Sequence, residues 1–99
     1  MSKYVLLEGF ASMLPEEAIV PTEPSQIQEG DYVKIGVEVI GHCYTATEKF
    51  WALVIEHSSI DENRLLVRIN QDLQQTSLHG LSDGDELTIE FKHIVAVIK

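Results

Sequence analysis

The sequence lacks the features that several classes of protein require. It has one cysteine, so an internal disulfide cannot form, which fits a reducing cytoplasm. It has no apolar run of the roughly 18 residues that a transmembrane helix needs. The apolar run in MSKYVLLEGF is too short for a signal peptide, so we expect mature sequence from the first residue. With 44% hydrophobic residues in a chain of 99, one folded domain over 1–99 is predicted.

Basic residues are scarce. The chain has 7 lysines and arginines against 16 acidic residues, a net charge of −9. Nucleic acids and anionic membranes are bound largely through lysine and arginine, so neither is predicted as a partner. The charge would steer a basic protein toward the chain, although acidity also serves simply to keep a small domain soluble.

Motifs for metal binding and catalysis are also missing. The four histidines are not spaced as metal ligands, and no phosphate-binding loop or serine elbow is present: His42, His57, His79 and His93. Cys43 carries no recognisable nucleophile signature. Glu48 and Glu56 would lie roughly 26 Å apart along a straight strand, too far for joint acid–base work. We therefore expect no metal, no cofactor and no catalytic residue.

Alternating apolar residues predict strands over most of the chain. Strands are expected over 32–39, 50–55, 64–70, 86–92 and 94–98, and residues 4–7 are either a short strand or a packed N-terminal arm. The apolar run 50–55 is long and bulky enough to be buried on both faces, and Phe91 is expected to point inward. A loop is predicted over 41–47, and Pro15 and Glu16 favour a short helical turn within 12–20.

This pattern predicts a mostly β fold with a minor helical part. The expected architecture is a small antiparallel, SH3-like, partly open barrel of five to six strands with a short N-terminal helical turn. Residues 1–30 form an N-terminal arm and connector, and residues 31–99 form the barrel core.

Two glycine–aspartate pairs precede similar strands, in EGDYVKI at 29–35 and DGDELTI at 83–89. Glycine adopts a positive φ without steric cost, and aspartate can accept hydrogen bonds from nearby backbone N–H groups. One device used twice at strand entrances indicates architecture rather than catalysis. We therefore assign a turn-forming role to five residues: Gly30, Asp31, Gly80, Gly84 and Asp85.

Phe50 and Trp51 are the main aromatic residues of the central strand. A single tryptophan in a small β domain is more often a core residue, so Trp51 is expected in the core rather than at an interface. Neighbours on a strand point to opposite faces, however, so only one of the two can enter a single core. The other lies on the second face, covered by the N-terminal segment or by a partner. The predicted contact region combines this pair with nearby polar residues: Glu48, Phe50, Trp51, Asn70 and His79. An alternative is a small-molecule or catalytic pocket at one barrel end, near Glu48, His57, Asn70 and His79.

The order of these elements resembles the YegJ-like family of small bacterial domains of unknown function. The resemblance spans about residues 20–98 and rests on four motifs, carried by Gly30, Asp31, Val33 and Lys34; by Glu48, Phe50 and Trp51; by Asn70; and by Gly80, Leu81, Gly84, Asp85 and Ile94. Lys49 stands where the family usually has arginine. The resemblance implies a compact, mostly β fold in a bacterial cytoplasm, and it brings no catalytic residues.

These observations predict an acidic, non-catalytic binding module whose ligand is another protein, with a basic partner favoured by charge. A specific version is an immunity- or antitoxin-like inhibitor of a basic protein. The rival hypothesis is the small-molecule or enzymatic pocket. The expected state is a monomer or a weak homodimer.

Overall fold

The computed structural model describes residues 4–9, 14, 16–40, 45–57, 63–71, 73 and 81–99, without the side chains of Ile40 and Thr45. These residues form six strands: β1 (Val5–Leu6), β2 (Tyr32–Ile40), β3 (Thr45–His57), β4 (Arg64–Ile69), β5 (Glu86–Glu90) and β6 (Ala96–Ile98). Two short 3-10 turns accompany them, η1 (Pro24–Gln26) and η2 (Phe91–His93).

All strand pairs are antiparallel. The strands follow the order β1-β2-β3-β4-β5, and β6 returns to pair with β2. The sheet curls into a half-barrel, so the prediction of a mostly β, antiparallel fold is confirmed. No described helix is long and apolar enough to cross a membrane.

The concave side of the sheet, called the inner face here, carries the core. Its fully buried side chains alternate along β2, β3 and β4, as the period of two predicts. They are Val33, Ile35, Val37, Phe50, Ala52, Val54, Leu65, Val67 and Ile69. Ile27 and Leu81, from the segments before β2 and β5, join the same cluster. The connector before β2 is therefore part of the core.

β3 differs from its prediction in burial and in length. Phe50 is fully buried, but Trp51 and Leu53 are only half-buried, so the strand is not buried on both faces. The reason is that the described elements leave these two side chains partly uncovered, although they bury Ala96, which lies opposite Lys34 on that side of the sheet. β3 also begins at Thr45, because its first residues pair with the end of β2. The predicted loop is thus wrong at 45–47, and its residues 41–44 lie outside the described part.

The predicted N-terminal helical turn is absent from residues 14 and 16–20, the described part of 12–20. After a turn at 16–17, Ile19 forms an isolated antiparallel bridge with Val97. Its N–H donates to the Val97 oxygen at 2.9 Å, and the Val97 N–H donates back at 2.8 Å. The edge of β6 therefore satisfies backbone groups that a helix would satisfy internally.

The strand predicted over 86–92 ends at Glu90. Phe91 begins η2 and is half-buried rather than pointing into the core. Its N–H donates to the Asn63 oxygen at 2.9 Å, and its own oxygen accepts the Ile94 N–H at 3.0 Å. This 3-10 turn redirects the chain from β5 toward β2, where β6 pairs.

Candidate functional site

The turn before β2 is joined to β3 by two backbone hydrogen bonds. Gly30 has a φ of +94°, which only glycine adopts easily. The Asp31 carboxylate accepts the Gln28 N–H at 2.9 Å. Gly30 donates its N–H to the Val54 oxygen at 2.9 Å, and the Val54 N–H donates to the Asp31 oxygen at 2.8 Å. Asp31 is buried, and Lys99 Nζ lies 2.8 Å from its carboxylate.

The turn before β5 repeats this pattern on β4. Gly84 has a φ of +92°, and the Asp85 carboxylate accepts the Ser82 N–H at 3.0 Å. The Gly84 N–H donates to the Ile69 oxygen, and the Ile69 N–H donates to the Asp85 oxygen, both at 2.8 Å. These two turns agree with the sequence pattern, and Gly80 lies outside the described residues. The carboxylates of Asp31 and Asp85 accept hydrogen bonds from backbone N–H groups, which is a structural role.

Trp51 lies on the convex side of the sheet, called the outer face here. Residues directly opposite in an antiparallel pair share a face. The register places Lys34 opposite Trp51 and Tyr32 opposite Leu53. Tyr32 is 36% exposed, and Trp51 and Leu53 are half-buried. An apolar surface thus crosses β2 and β3 on the side away from the core.

Two lysines adjoin this surface. Lys34 Nζ lies 5.2 Å from the centroid of the Trp51 ring, within reach of a cation–π interaction. Lys49 precedes Trp51 by two residues on β3, so it shares the outer face. Partial burial lowers the pKa of Lys34, and the positive charge of Lys49 lowers it further. A positive charge at Lys34 therefore lies against the tryptophan ring.

The structure separates the residues of the predicted contact region. Phe50 is fully buried on the inner face, so it does not reach a partner. Glu48 is half-buried opposite Val37, also on the inner side. Asn70 is exposed and donates its N–H to the Trp51 oxygen at 3.2 Å. His79 lies outside the described residues.

The alternative pocket is not assembled by its described members. Glu48 and His57 are nine residues apart on β3, roughly 30 Å at the usual rise per residue. His57 lies at the far end, where its Nδ1 donates to the Ile27 oxygen at 2.8 Å. Asn70 lies midway, beside Trp51. In the described part of the chain, no group of three or more His, Cys, Asp or Glu side chains could hold a metal ion.

Sequence reasoning did not include Tyr32 and Lys34 in the contact region. Both occupy outward positions in the period-two pattern of β2, so the sequence could predict that their side chains point away from the core. Their position opposite Leu53 and Trp51 depends on the register between β2 and β3. That register brings together residues 17 and 21 positions apart, and the turn between the strands did not reveal it.

No protein-family model matches the chain, and neither the curated proteins nor the solved structures contain a similar one.

Proposed function

We propose that this chain is a non-catalytic binding module that contacts another protein through the outer face of its sheet. The observation that supports the proposal is the half-exposed Trp51, with Tyr32 and Leu53 beside it, on the side of the sheet away from the core. Tryptophan and tyrosine are enriched among the residues that dominate binding energy at protein interfaces.

The N-terminal segment supports this assignment by its position. β1 pairs with the part of β2 around Val37 and Glu38, so it extends the edge of the sheet. Ile19 likewise lies at the outer edge of β6. These described parts of the segment do not pair near Lys34 and Trp51. The described parts of the arm therefore do not cover this position, and we propose that a partner does.

We also propose the finer fold assignment, a partly open SH3-like barrel. After η2, β6 returns to pair with the beginning of β2, while β2 to β5 pair in sequence. This arrangement of a curled sheet with a returning last strand supports a small barrel that stays open beside β5. Membership of the YegJ-like family and a bacterial cytoplasmic location remain proposals that rest on the sequence alone.

Net charge favours a second version of the function, the immunity- or antitoxin-like inhibitor of a basic protein. Its support is the total of −9, which is not tied to a particular surface. The small-molecule or catalytic alternative loses support, because Glu48, His57 and Asn70 do not converge.

The proposed function is tested by capture from a native bacterial lysate with three immobilised proteins: wild type, Trp51→Ser and Val5→Ser. Val5 is 53% exposed on β1 and serves as the control for loss of surface apolar area. We expect a protein that wild type and Val5→Ser retain equally. Trp51→Ser should retain it at least about tenfold less, as a tryptophan anchor worth about 1.4 kcal/mol or more predicts.

Circular dichroism should show that all three proteins are folded. Equal retention of the same proteins by wild type and Trp51→Ser would overturn the assignment of the outer face.

A further inference from the structure

The surface around Trp51 has a charge opposite to that of the whole molecule. The chain carries −9, yet among the described residues the charged side chain opposite Trp51 on the outer face is Lys34, and Arg68 lies opposite Leu53 on the other side. The acidic residue of β2 on this face is Glu38, which lies opposite Thr47 and four residues beyond Lys34. The tryptophan is thus at a locally cationic position of an acidic domain.

Lys34 is held in place by the ring rather than by a carboxylate. Its Nζ lies 5.2 Å from the Trp51 centroid, and no described carboxylate forms an ion pair with it. Arg68 illustrates the contrast, since it pairs with Glu86 at 2.8 Å on the same face. A carboxylate brought by a partner would meet a cation that is already positioned beside an aromatic surface.

We propose that the outer face binds an acidic segment of a partner protein, which places an apolar side chain against Trp51 and a carboxylate near Lys34. This inference rests on the proposed protein-binding function and specifies the chemistry of the partner. The apolar contact covers Trp51, Tyr32 and Leu53, and the charges set orientation and the rate of association.

Nucleic acid is the competing ligand for a surface of aromatic and basic residues, because bases stack on tryptophan while lysines meet phosphates. A phosphate chain would have to cross the remaining, strongly acidic surface of the domain. A short acidic peptide segment needs only Lys34 and the apolar surface at the tryptophan. The charge of the whole domain therefore favours a peptide.

The local charge can be measured directly, because Trp51 is the only tryptophan in the chain. Fluorescence quenching by iodide and by caesium should be compared at equal ionic strength, each expressed relative to the quenching of free N-acetyltryptophanamide by the same ion. We expect iodide to quench wild type more strongly, despite the net charge of −9. The variant Lys34→Gln should lower the iodide quenching relative to the caesium quenching, since it removes the adjacent cation.

Lys92→Gln is the matched control, since it removes one positive charge at η2, where Lys92 pairs with Glu8 at 3.6 Å. It should leave the order of quenching unchanged. Stronger quenching of wild type by caesium than by iodide would overturn the proposal, because Trp51 would then not be in a cationic environment.

Binding is tested with defined probes without tryptophan: the capped peptides EEFLEE, QQFLQQ and KKFLKK, and an oligothymidine of eight nucleotides. The change in Trp51 emission gives the dissociation constants. We expect EEFLEE to bind most tightly, with an affinity that falls as salt is added. Lys34→Gln should weaken EEFLEE about threefold, as one partly screened ion pair predicts, and Lys92→Gln less than about twofold.

Tighter binding of KKFLKK or of oligothymidine would overturn the proposal, and so would no change in emission with any probe at millimolar concentration. The experiments distinguish a failure of the proposed protein-binding function from a failure of the proposed acidic partner. If the capture experiment finds a protein whose retention depends on Trp51 while KKFLKK binds best, the protein-binding function stands and the acidic partner is wrong. If EEFLEE binds as expected but no retained protein depends on Trp51, the proposed function fails while the chemistry of the surface stands.

Discussion

The two faces of β3 carry similar residues with different surroundings. On the inner face, Phe50 and Ala52 are 0% exposed and Val54 is 1% exposed. On the outer face, Trp51 and Leu53 are half-buried. One apolar run thus supplies both the centre of the core and the candidate contact surface. The comparison shows that an uninterrupted apolar strand need not be covered on both sides by its own chain.

The largest expected effect separates the two faces by stability. Phe50→Ala should lower the free energy of unfolding by about 3–5 kcal/mol, because it leaves a cavity in the core. Trp51→Ala should lower it by about 1 kcal/mol, since the ring is half exposed and its contact with Lys34 is a weak cation–π interaction. Urea unfolding followed by circular dichroism measures both. Equal losses would mean that Trp51 is a core residue.

The next effect concerns the turns that determine which residues of β2 and β5 face inward. Asp31→Ala should lower the free energy of unfolding by about 1–3 kcal/mol, because a buried carboxylate is lost from the Gln28 N–H and from Lys99. Asp85→Ala should cost about 1 kcal/mol, since its turn is less buried.

Asp83→Ala is the control for these turn variants. Asp83 is exposed in the same turn as Asp85, and its replacement should change the free energy of unfolding by less than about 0.5 kcal/mol. Urea unfolding of the three variants tests the order. If Asp83→Ala matched Asp85→Ala, the hydrogen bonds of the turn would not be the cause.

The smallest expected effect is on the pH dependence of stability, through a buried ionisable group. His93 is buried, and its Nδ1 accepts the Glu90 N–H at 3.0 Å. Burial lowers the pKa of His93 below 6.5, with the charge of Lys92 acting in the same direction and those of Glu90 and Glu8 opposing it. As the pH falls, His93 is therefore protonated at a higher pH in the unfolded chain than in the folded protein.

The contribution of His93 to stability is fully present above its unfolded pKa of 6.5 and is lost as the pH falls through the lower folded value. The free energy of unfolding, measured between pH 7.5 and about 5, should fall more steeply for wild type than for His93→Gln. Identical slopes would show that His93 does not contribute to the pH dependence.

Much of the fold could be predicted from local patterns, and the errors have a common physical cause. The alternation of apolar residues located β2, β4 and β5, and the two glycine–aspartate pairs located the turns before β2 and β5. The sequence did not reveal the extension of β3 to Thr45, the bridge at Ile19 or the end of β5 at Glu90. Each of these depends on hydrogen bonds to a distant segment: to β2, to β6 and to Asn63.

For the candidate site too, one part could be predicted from the sequence and another part could not. The order of Phe50 and Trp51 dictates that they point to opposite faces, because successive side chains of a strand alternate. The expectation that Trp51 enters the core is wrong, since Phe50 occupies that position, and the sequence did not reveal that Lys34 would lie against Trp51. Those outcomes follow from the curl of the sheet and from the register between β2 and β3. Curl and register are set by the packing and hydrogen bonding of several strands together, so they are properties of the tertiary structure.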